Sequence, residues 1–185
     1  MTGLGNAARK PSGQRRGATR EARRVDAPHA KRRGNLEPGA AQELIRLLAS
    51  LPIFRGMPKR SLSRMAAQMR PRHVPAGTIF FRQGDPAREF LVIASGRLEV
   101  TLVVGNVGAP PLAVLEAPGW VGELALMLDE PRSVTLTAAA DSEVSVLPGD
   151  AFDQFVGSHQ VVAKKLLATL TRRIFEKVPP SAWLW

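Results

Sequence analysis

The sequence predicts a mainly β domain: an antiparallel β-roll, of the jelly-roll or double-stranded β-helix kind, with flanking N- and C-terminal α-helices. Three observations point to this class. Apolar residues recur at helical spacing before residue 70 and again after residue 150. Between these regions, short segments alternate apolar and polar residues, which is typical of strands. Gly and Pro residues separate these segments, and many short strands at such spacing favour a roll, barrel or sandwich.

The composition excludes several classes of protein. A chain of 185 residues is long enough for one domain with its own core. It has no cysteine, so neither a disulfide framework nor a thiolate metal site is available. No early apolar run has the form of a signal peptide, and none is long enough to cross a bilayer. We therefore expect a soluble, cytoplasmic protein without a membrane span.

The positive charge is concentrated at the start of the chain. Residues 1–35 hold ten basic and two acidic residues, so they carry +8 of the formal net charge of +10. With few large apolar side chains, this segment is expected to be disordered. We predict a basic disordered tail at 1–35, a folded domain at 36–178 and a short C-terminal tail at 179–185. The basic tail is either a solvated extension or a weak contact to nucleic acid or an anionic surface.

The folded region begins and ends with helices. Helical spacing predicts one helix from about Pro38 to Leu51 and a second from Pro58 to the residue before Pro71. Short apolar runs bounded by glycine-containing turns predict strands at 78–81 and 89–93, and alternation predicts strands at 97–102, 133–138 and 143–146. Two further helices follow, at 151–156 and from 162 to about 174, and Pro179-Pro180 ends the second.

One segment inside the strand region carries residues suited to binding a phosphorylated sugar. Gly122 permits a tight turn, and residues 124–128 can form a helical turn whose free amide groups point back toward it. Arg132 follows nine positions after Glu123, and its guanidinium group matches two phosphate oxygens. Ser133 adds a hydroxyl donor. Glu123 can only accept hydrogen bonds, which suits a ribose hydroxyl and opposes a phosphate.

These residues resemble the phosphate-binding cassette of the cyclic nucleotide-binding domains found in the catabolite activator protein and in the regulatory subunits of cyclic-AMP-dependent kinase. The resemblance rests on Gly122-Glu123-Leu124-Ala125-Leu126 and on Pro131-Arg132-Ser133, and it extends over roughly residues 44–175, including Gln83-Gly84-Asp85. It implies that the domain at 36–178 is such a domain. The sequence departs from the family where Val121 replaces an aromatic residue and Leu91 replaces a common tyrosine, which we interpret as core variation.

The resemblance also implies roles for the site residues. Glu123 would bind the ribose 2′-hydroxyl, Arg132 and Ser133 the cyclic phosphate, and the Ala125 amide a phosphate oxygen. Gly122 and Leu124 complete the predicted binding set. The ligand would be cyclic AMP or cyclic GMP.

Family members that regulate transcription continue from a long C-terminal helix into a helix-turn-helix. Here prolines end that helix and five residues follow, so we expect no DNA-reading domain. Trp183 and Trp185 could instead fold back and stack on the base, at about 1 to 3 kcal/mol. Alternatively, they cover an apolar groove or serve a partner interface. Quenching of their emission by nucleotide would separate these interpretations.

The predicted function is therefore that of a non-enzymatic sensor: it binds a cyclic nucleotide and moves its C-terminal helices against an unknown effector protein, alone or as a homodimer. Two alternatives stay open. The fold could serve as a ligand-free interaction module in which Glu123 and Arg132 merely pair, or the basic tail could act in a nucleic-acid-associated regulator. No metal or catalytic site is expected, because His29, His73 and His159 are far apart in the sequence.

Overall fold

The computed structural model describes residues 38–102 and 110–175. Five α-helices and eight β-strands lie within these ranges. The helices are α1 (Pro38–Ser50), α2 (Lys59–Ala66), α3 (Glu123–Leu128), α4 (Gly149–Gly157) and α5 (Gln160–Phe175), with a 3-10 helix at Pro52–Phe54. The strands are β1 (Arg70–Val74), β2 (Ile79–Phe81), β3 (Glu89–Ser95), β4 (Arg97–Thr101), β5 (Ala113–Glu116), β6 (Gly119–Val121), β7 (Thr135–Ala138) and β8 (Ser142–Pro148).

The strands form two four-stranded antiparallel sheets, with the orders β1-β8-β3-β6 and β2-β7-β4-β5. Consecutive strands therefore alternate between sheets at several points, which closes the two sheets into a roll. The predicted fold class, an antiparallel β-roll flanked by helices, is confirmed.

Two hydrophobic cores divide the domain. One fills the inside of the roll and includes Leu91, Leu98, Leu136 and Val146. The other lies between the outer face of the first sheet and the helices, where Phe90 stacks on Phe152 with ring centroids 4.8 Å apart. Because successive side chains of β3 point to opposite faces, one strand supplies residues to both cores. This explains why its central residues form a continuous apolar run.

Three strands were not expected from the sequence. β1 follows α2 closely and begins with Arg-Pro-Arg-His, a polar stretch that lacks apolar alternation. It is an edge strand, where a proline and charged side chains are tolerated because one side makes no ladder hydrogen bonds. β5 and β6 are short, with four and three residues, and β6 ends directly before Gly122.

The C-terminal helix packs on the N-terminal helical segment. Val162 and Leu166 of α5 are fully buried in the helical core. His159, between α4 and α5, accepts or donates a hydrogen bond to the Ser61 hydroxyl of α2 at 3.1 Å. Lys165 donates to the Arg55 carbonyl, next to the 3-10 helix. These contacts fix the position of α5 relative to the rest of the domain.

No helix in the described ranges is both long enough and apolar enough to cross a membrane. The predicted tails at 1–35 and 179–185, together with Trp183 and Trp185, lie outside the described residues. The predictions made for them stay predictions.

Candidate cyclic-nucleotide site

Arg132 is a buried cation inside the roll. Its side chain is only 4% exposed, and its guanidinium carbon lies 4.2 Å from the centre of the Phe81 ring. Nη1 donates to the Gly122 carbonyl at 2.9 Å, and Nη2 donates to the Glu89 carbonyl at 2.5 Å. Two carbonyls and one aromatic face therefore fix the orientation of the guanidinium plane.

One N–H group of this arginine lacks a partner. Within the described residues, Arg132 Nε is buried and makes no hydrogen bond. A buried, unsatisfied donor costs free energy, and more so when it belongs to a charged group. Such groups are rare in folded proteins, and strain, a functional role, a water molecule or an ion accounts for them. The Nε–H group is therefore a donor that an acceptor, most favourably an anion, would satisfy.

The turn between β2 and β3 positions the backbone of Arg132. Gly84 has φ of 86° and donates its amide to the Arg132 carbonyl at 2.8 Å, while the Arg132 amide donates to the Asp85 carbonyl at 2.8 Å. The Asp85 carboxylate accepts the Arg82 amide at 2.9 Å and so closes the turn. The Gln83-Gly84-Asp85 sequence is therefore part of the support of the site.

Gly122 begins α3 in the left-handed conformation, with φ of 98°. A side chain would not fit there, because a Cβ would lie 2.9 Å from the Glu89 carbonyl oxygen and 3.0 Å from Arg132 Nη1. The glycine predicted to allow a tight turn also lets the backbone approach the arginine closely. Its carbonyl can then accept the Nη1 hydrogen bond.

Glu123 follows immediately and is 2% exposed. Burial lowers the pKa of the Arg132 guanidinium below its usual value, whereas the nearby carboxylates of Glu89, Glu123 and Asp85 raise it. Arginine remains a cation at neutral pH even so. Glu123 thus lies close enough to Arg132 to stabilise its charge, as expected for one acidic and one cationic end of the same site.

The other predicted residues are placed differently. Ala125 is buried in the first turn of α3, where the amide groups have no acceptor within the helix. Leu124 is 36% exposed, and Ser133 is also exposed, directly after the arginine. The structure thus brings Gly122, Glu123 and Arg132 together, with Ala125 beside them.

Sequence reasoning missed Phe81 and Glu89. Phe81 was assigned only to an apolar strand, and its stacking under the arginine gives no sequence signal. Glu89 contributes a backbone carbonyl, a group that every residue possesses, so residue type cannot reveal this role. The only available signal was an acidic residue at the start of a buried strand.

The two departures from the family pattern face each other. Leu91 of β3 pairs with Val121 of β6, and both belong to the core inside the roll. Their direct pairing agrees with the interpretation as core variation, since two aliphatic residues replace two larger rings at neighbouring positions.

A cavity of about 340 Å³ lies between α3 and α4, and Ala125 of the predicted binding set is among the residues that line it. Leu126, Gly149, Asp129, Asp150 and Asp153 are among the residues that line it. Burial, together with the charges of Asp129 and Asp150, raises the pKa of Asp153. Since this cavity is rich in carboxylates and includes neither Glu123 nor Arg132, we do not place an anionic ligand there. Within the described ranges, no group of three acidic or histidine side chains is arranged to hold a metal ion.

Comparison with known proteins agrees with this geometry. The sequence profile of the cyclic nucleotide-binding domain matches residues 71–159. The chain belongs to the cyclic nucleotide-binding domain family. The match runs from the second residue of β1 through β8 and α4, and it includes α3 and Arg132.

Three similar proteins are each longer than the region that matches this chain. Acetyltransferase Pat of Mycolicibacterium smegmatis is 40% identical over 145 residues, which are 75% of this chain and 43% of that protein. The catabolite activator protein of Thermus thermophilus is 26% identical, with a TM-score of 0.62 over 68% of this chain and 59% of that one. The regulatory domain of Toxoplasma gondii PKA with cAMP is 25% identical, with a TM-score of 0.63 over 72% and 50%. The chain thus spans less than two thirds of each.

Replacing Gly122 with alanine tests whether the close approach at this position matters. We expect Gly122→Ala to lower the free energy of unfolding by about 2 to 4 kcal/mol, because it adds a steric clash to the strain of a left-handed backbone. Chemical denaturation monitored by circular dichroism measures this value. Gly84→Ala is the matched control: its φ is 86°, but nothing lies within 4 Å of the added Cβ, so it should cost only about 1 kcal/mol. Equal losses would show that Gly122 has no steric role.

Proposed function

We propose that this chain binds a cyclic nucleoside monophosphate, cyclic AMP in the first instance, and transmits binding to an effector protein as a regulatory module. The observation that carries the proposal is the buried Arg132 guanidinium, whose Nε has no hydrogen-bond partner among the described residues. A cyclic phosphate supplies the acceptor and the opposite charge at once. The neighbouring Glu123 suits the ribose hydroxyl of the same ligand.

The same residues support a route from the ligand to the C-terminal helices. Glu89 accepts the Arg132 hydrogen bond, and the carbonyl of the preceding Arg88 accepts the Gly149 amide at 2.8 Å, at the start of α4. Leu126 of α3 also contacts Gly149 closely. A ligand that draws α3 and Arg132 together would therefore act on the start of α4, and through α4 on α5. It shifts the helices only as far as its affinity differs between their two arrangements.

We propose the kind of effector protein from the proteins that this chain resembles. Because the 40% identical Pat is an acetyltransferase, an acetyltransferase catalytic domain is one candidate effector, whether on the same polypeptide or a separate one. A nucleotide-dependent change in the acetylation rate of such a domain, measured with this chain present, would support it. Val161 and Leu167 are 58% and 62% exposed on α5 and offer a surface for such a partner or for a second copy of the chain. Sedimentation analysis distinguishes a homodimer from a monomer.

Arg132→Ala is expected to weaken nucleotide binding by about 2 to 4 kcal/mol, since the ligand phosphate would lose its charged partner in a largely desolvated position. Arg132→Lys should recover only part of the loss, because an ammonium group cannot make the planar two-pronged contact. Isothermal titration calorimetry with cyclic AMP and cyclic GMP gives the dissociation constants and their ratio. Arg97→Ala, an exposed arginine on β4, is the control and should leave both unchanged. If Arg132→Ala binds like the unmodified chain, the proposal is wrong.

Glu123→Ala should weaken binding through the sugar instead of the phosphate. We expect a loss of roughly tenfold or more for cyclic AMP, the effect of a hydrogen bond to a charged group. For 2′-deoxy cyclic AMP the loss should be much smaller, because that ligand lacks the hydroxyl. Titration of both ligands against both proteins completes a double-mutant cycle. Equal losses for the two ligands would assign Glu123 a different role, such as supporting Arg132.

A further inference from the structure

A second arginine lies on the inner side of the roll. Arg72 of β1 pairs in register with Val144 of β8. Directly opposed residues of antiparallel strands point to the same face, and Val144 is buried in the core inside the roll. The Arg72 side chain therefore runs across the concave face of the sheet, where it is 32% exposed.

Glu89 contacts both arginines. Its carboxylate Oε1 lies 3.1 Å from Arg72 Nη2, while its backbone carbonyl accepts the hydrogen bond from Arg132 Nη2 at 2.5 Å. The Glu89 carboxylate is 32% exposed, so water screens this ion pair only in part. One residue thus joins the arginine at the edge strand to the arginine at the site.

This arrangement contains a competitor for the ligand. A carboxylate is a strong partner for a guanidinium N–H, and the unpaired Nε belongs to the same guanidinium that the Glu89 carbonyl binds through Nη2. Of the charges that raise the pKa of Arg132, that of Glu89 acts most strongly, which agrees with its proximity. A rotation of the Glu89 side chain toward Nε would place an internal anion where the phosphate is proposed to bind.

We infer that Arg72 is a positioning residue: by holding the Glu89 carboxylate at the edge strand, it keeps Arg132 Nε available to an anionic ligand. The expected effect on ligand affinity rests on the proposed function, whereas the orientation of the Glu89 carboxylate by Arg72 does not. Arg72 itself makes no contact with the ligand in this scheme. It acts by neutralising and orienting Glu89.

The test uses the full chain in a mutant cycle. Arg72→Met should weaken cyclic AMP binding by roughly five- to tenfold, as expected when a partly buried charge loses its partner and turns to another. Glu89→Gln keeps the backbone carbonyl that supports Arg132 and should bind slightly tighter than the unmodified chain, because the competing charge is gone. The double variant Arg72→Met/Glu89→Gln should recover the original affinity to within about twofold, and Arg72→Lys should retain most of it.

A control variant and an NMR measurement accompany the binding data. His73→Gln is the matched control, since His73 is the next residue on β1 and pairs with Glu143 on the exposed side at 2.7 Å. It should not change the affinity. The Nε–H resonance of Arg132 in the NMR spectrum, recorded without nucleotide, should move downfield in Arg72→Met and return in the double variant.

The outcomes separate the inference from the proposed function. If the unmodified chain binds no nucleotide yet the Arg132 resonance moves as expected, the proposed function fails and the positioning role stands. If nucleotide binds and Arg132→Ala abolishes it, but Arg72→Met changes neither affinity nor resonance, the inference is overturned alone. A loss in Arg72→Met that Glu89→Gln does not rescue would also overturn it, since that is the result of a merely structural role.

Discussion

The burial of the Arg132 charge is the constraint on which the site depends. A cation that is nearly withdrawn from water must be compensated by dipoles, by an aromatic face or by opposite charges. Here the carbonyls of Gly122 and Glu89, the Phe81 ring and three nearby carboxylates share that task. These groups come from three segments of the chain, at residues 81–85, 89 and 122–123. The arginine can therefore occupy this position only when the β2–β3 turn, the start of β3 and the turn before α3 have all formed.

Strand register explains why these groups meet. β3 and β6 pair with Leu91 opposite Val121 and Val92 opposite Trp120. Continued by two residues, the register brings the start of β3 beside Gly122 and Glu123, where β6 leaves the sheet. Gly122 is then forced into close contact with the Glu89 carbonyl, and only a residue without a Cβ can turn the chain there. The glycine before the acidic residue is thus a consequence of sheet geometry as much as of ligand chemistry.

The sequence predicted the roll and the residues of the cassette but not the details that support them. Alternating strands such as β4 and β7 have one face in the core and one in solvent, so their pattern is readable. β1 carries its polar residues on an edge, and β5 and β6 are too short to show a period. Glu123 and Arg132 are charged, and a charged side chain that is buried needs an opposite charge, a hydrogen-bond partner or a ligand. The role of Glu89 depends on its carbonyl and on a neighbour 17 residues away, and pairings of that kind appear only when the strands are in place.

Arg88 and Glu89 link the Arg132 guanidinium to the start of α4 through their backbone carbonyls. The Glu89 carbonyl supports Arg132, its carboxylate pairs with Arg72, and the carbonyl of the residue before it accepts the first amide of α4. An anion that draws the guanidinium toward itself would change the length and direction of the hydrogen bond from Arg132 Nη2 to the Glu89 carbonyl. Because packed β-strands deform little, the more compliant neighbour is the start of α4, whose first amide is bonded to the Arg88 carbonyl. If a cyclic nucleotide binds as proposed, α4 is therefore the helix expected to respond first, because its first amide is bonded to the residue beside the support of Arg132.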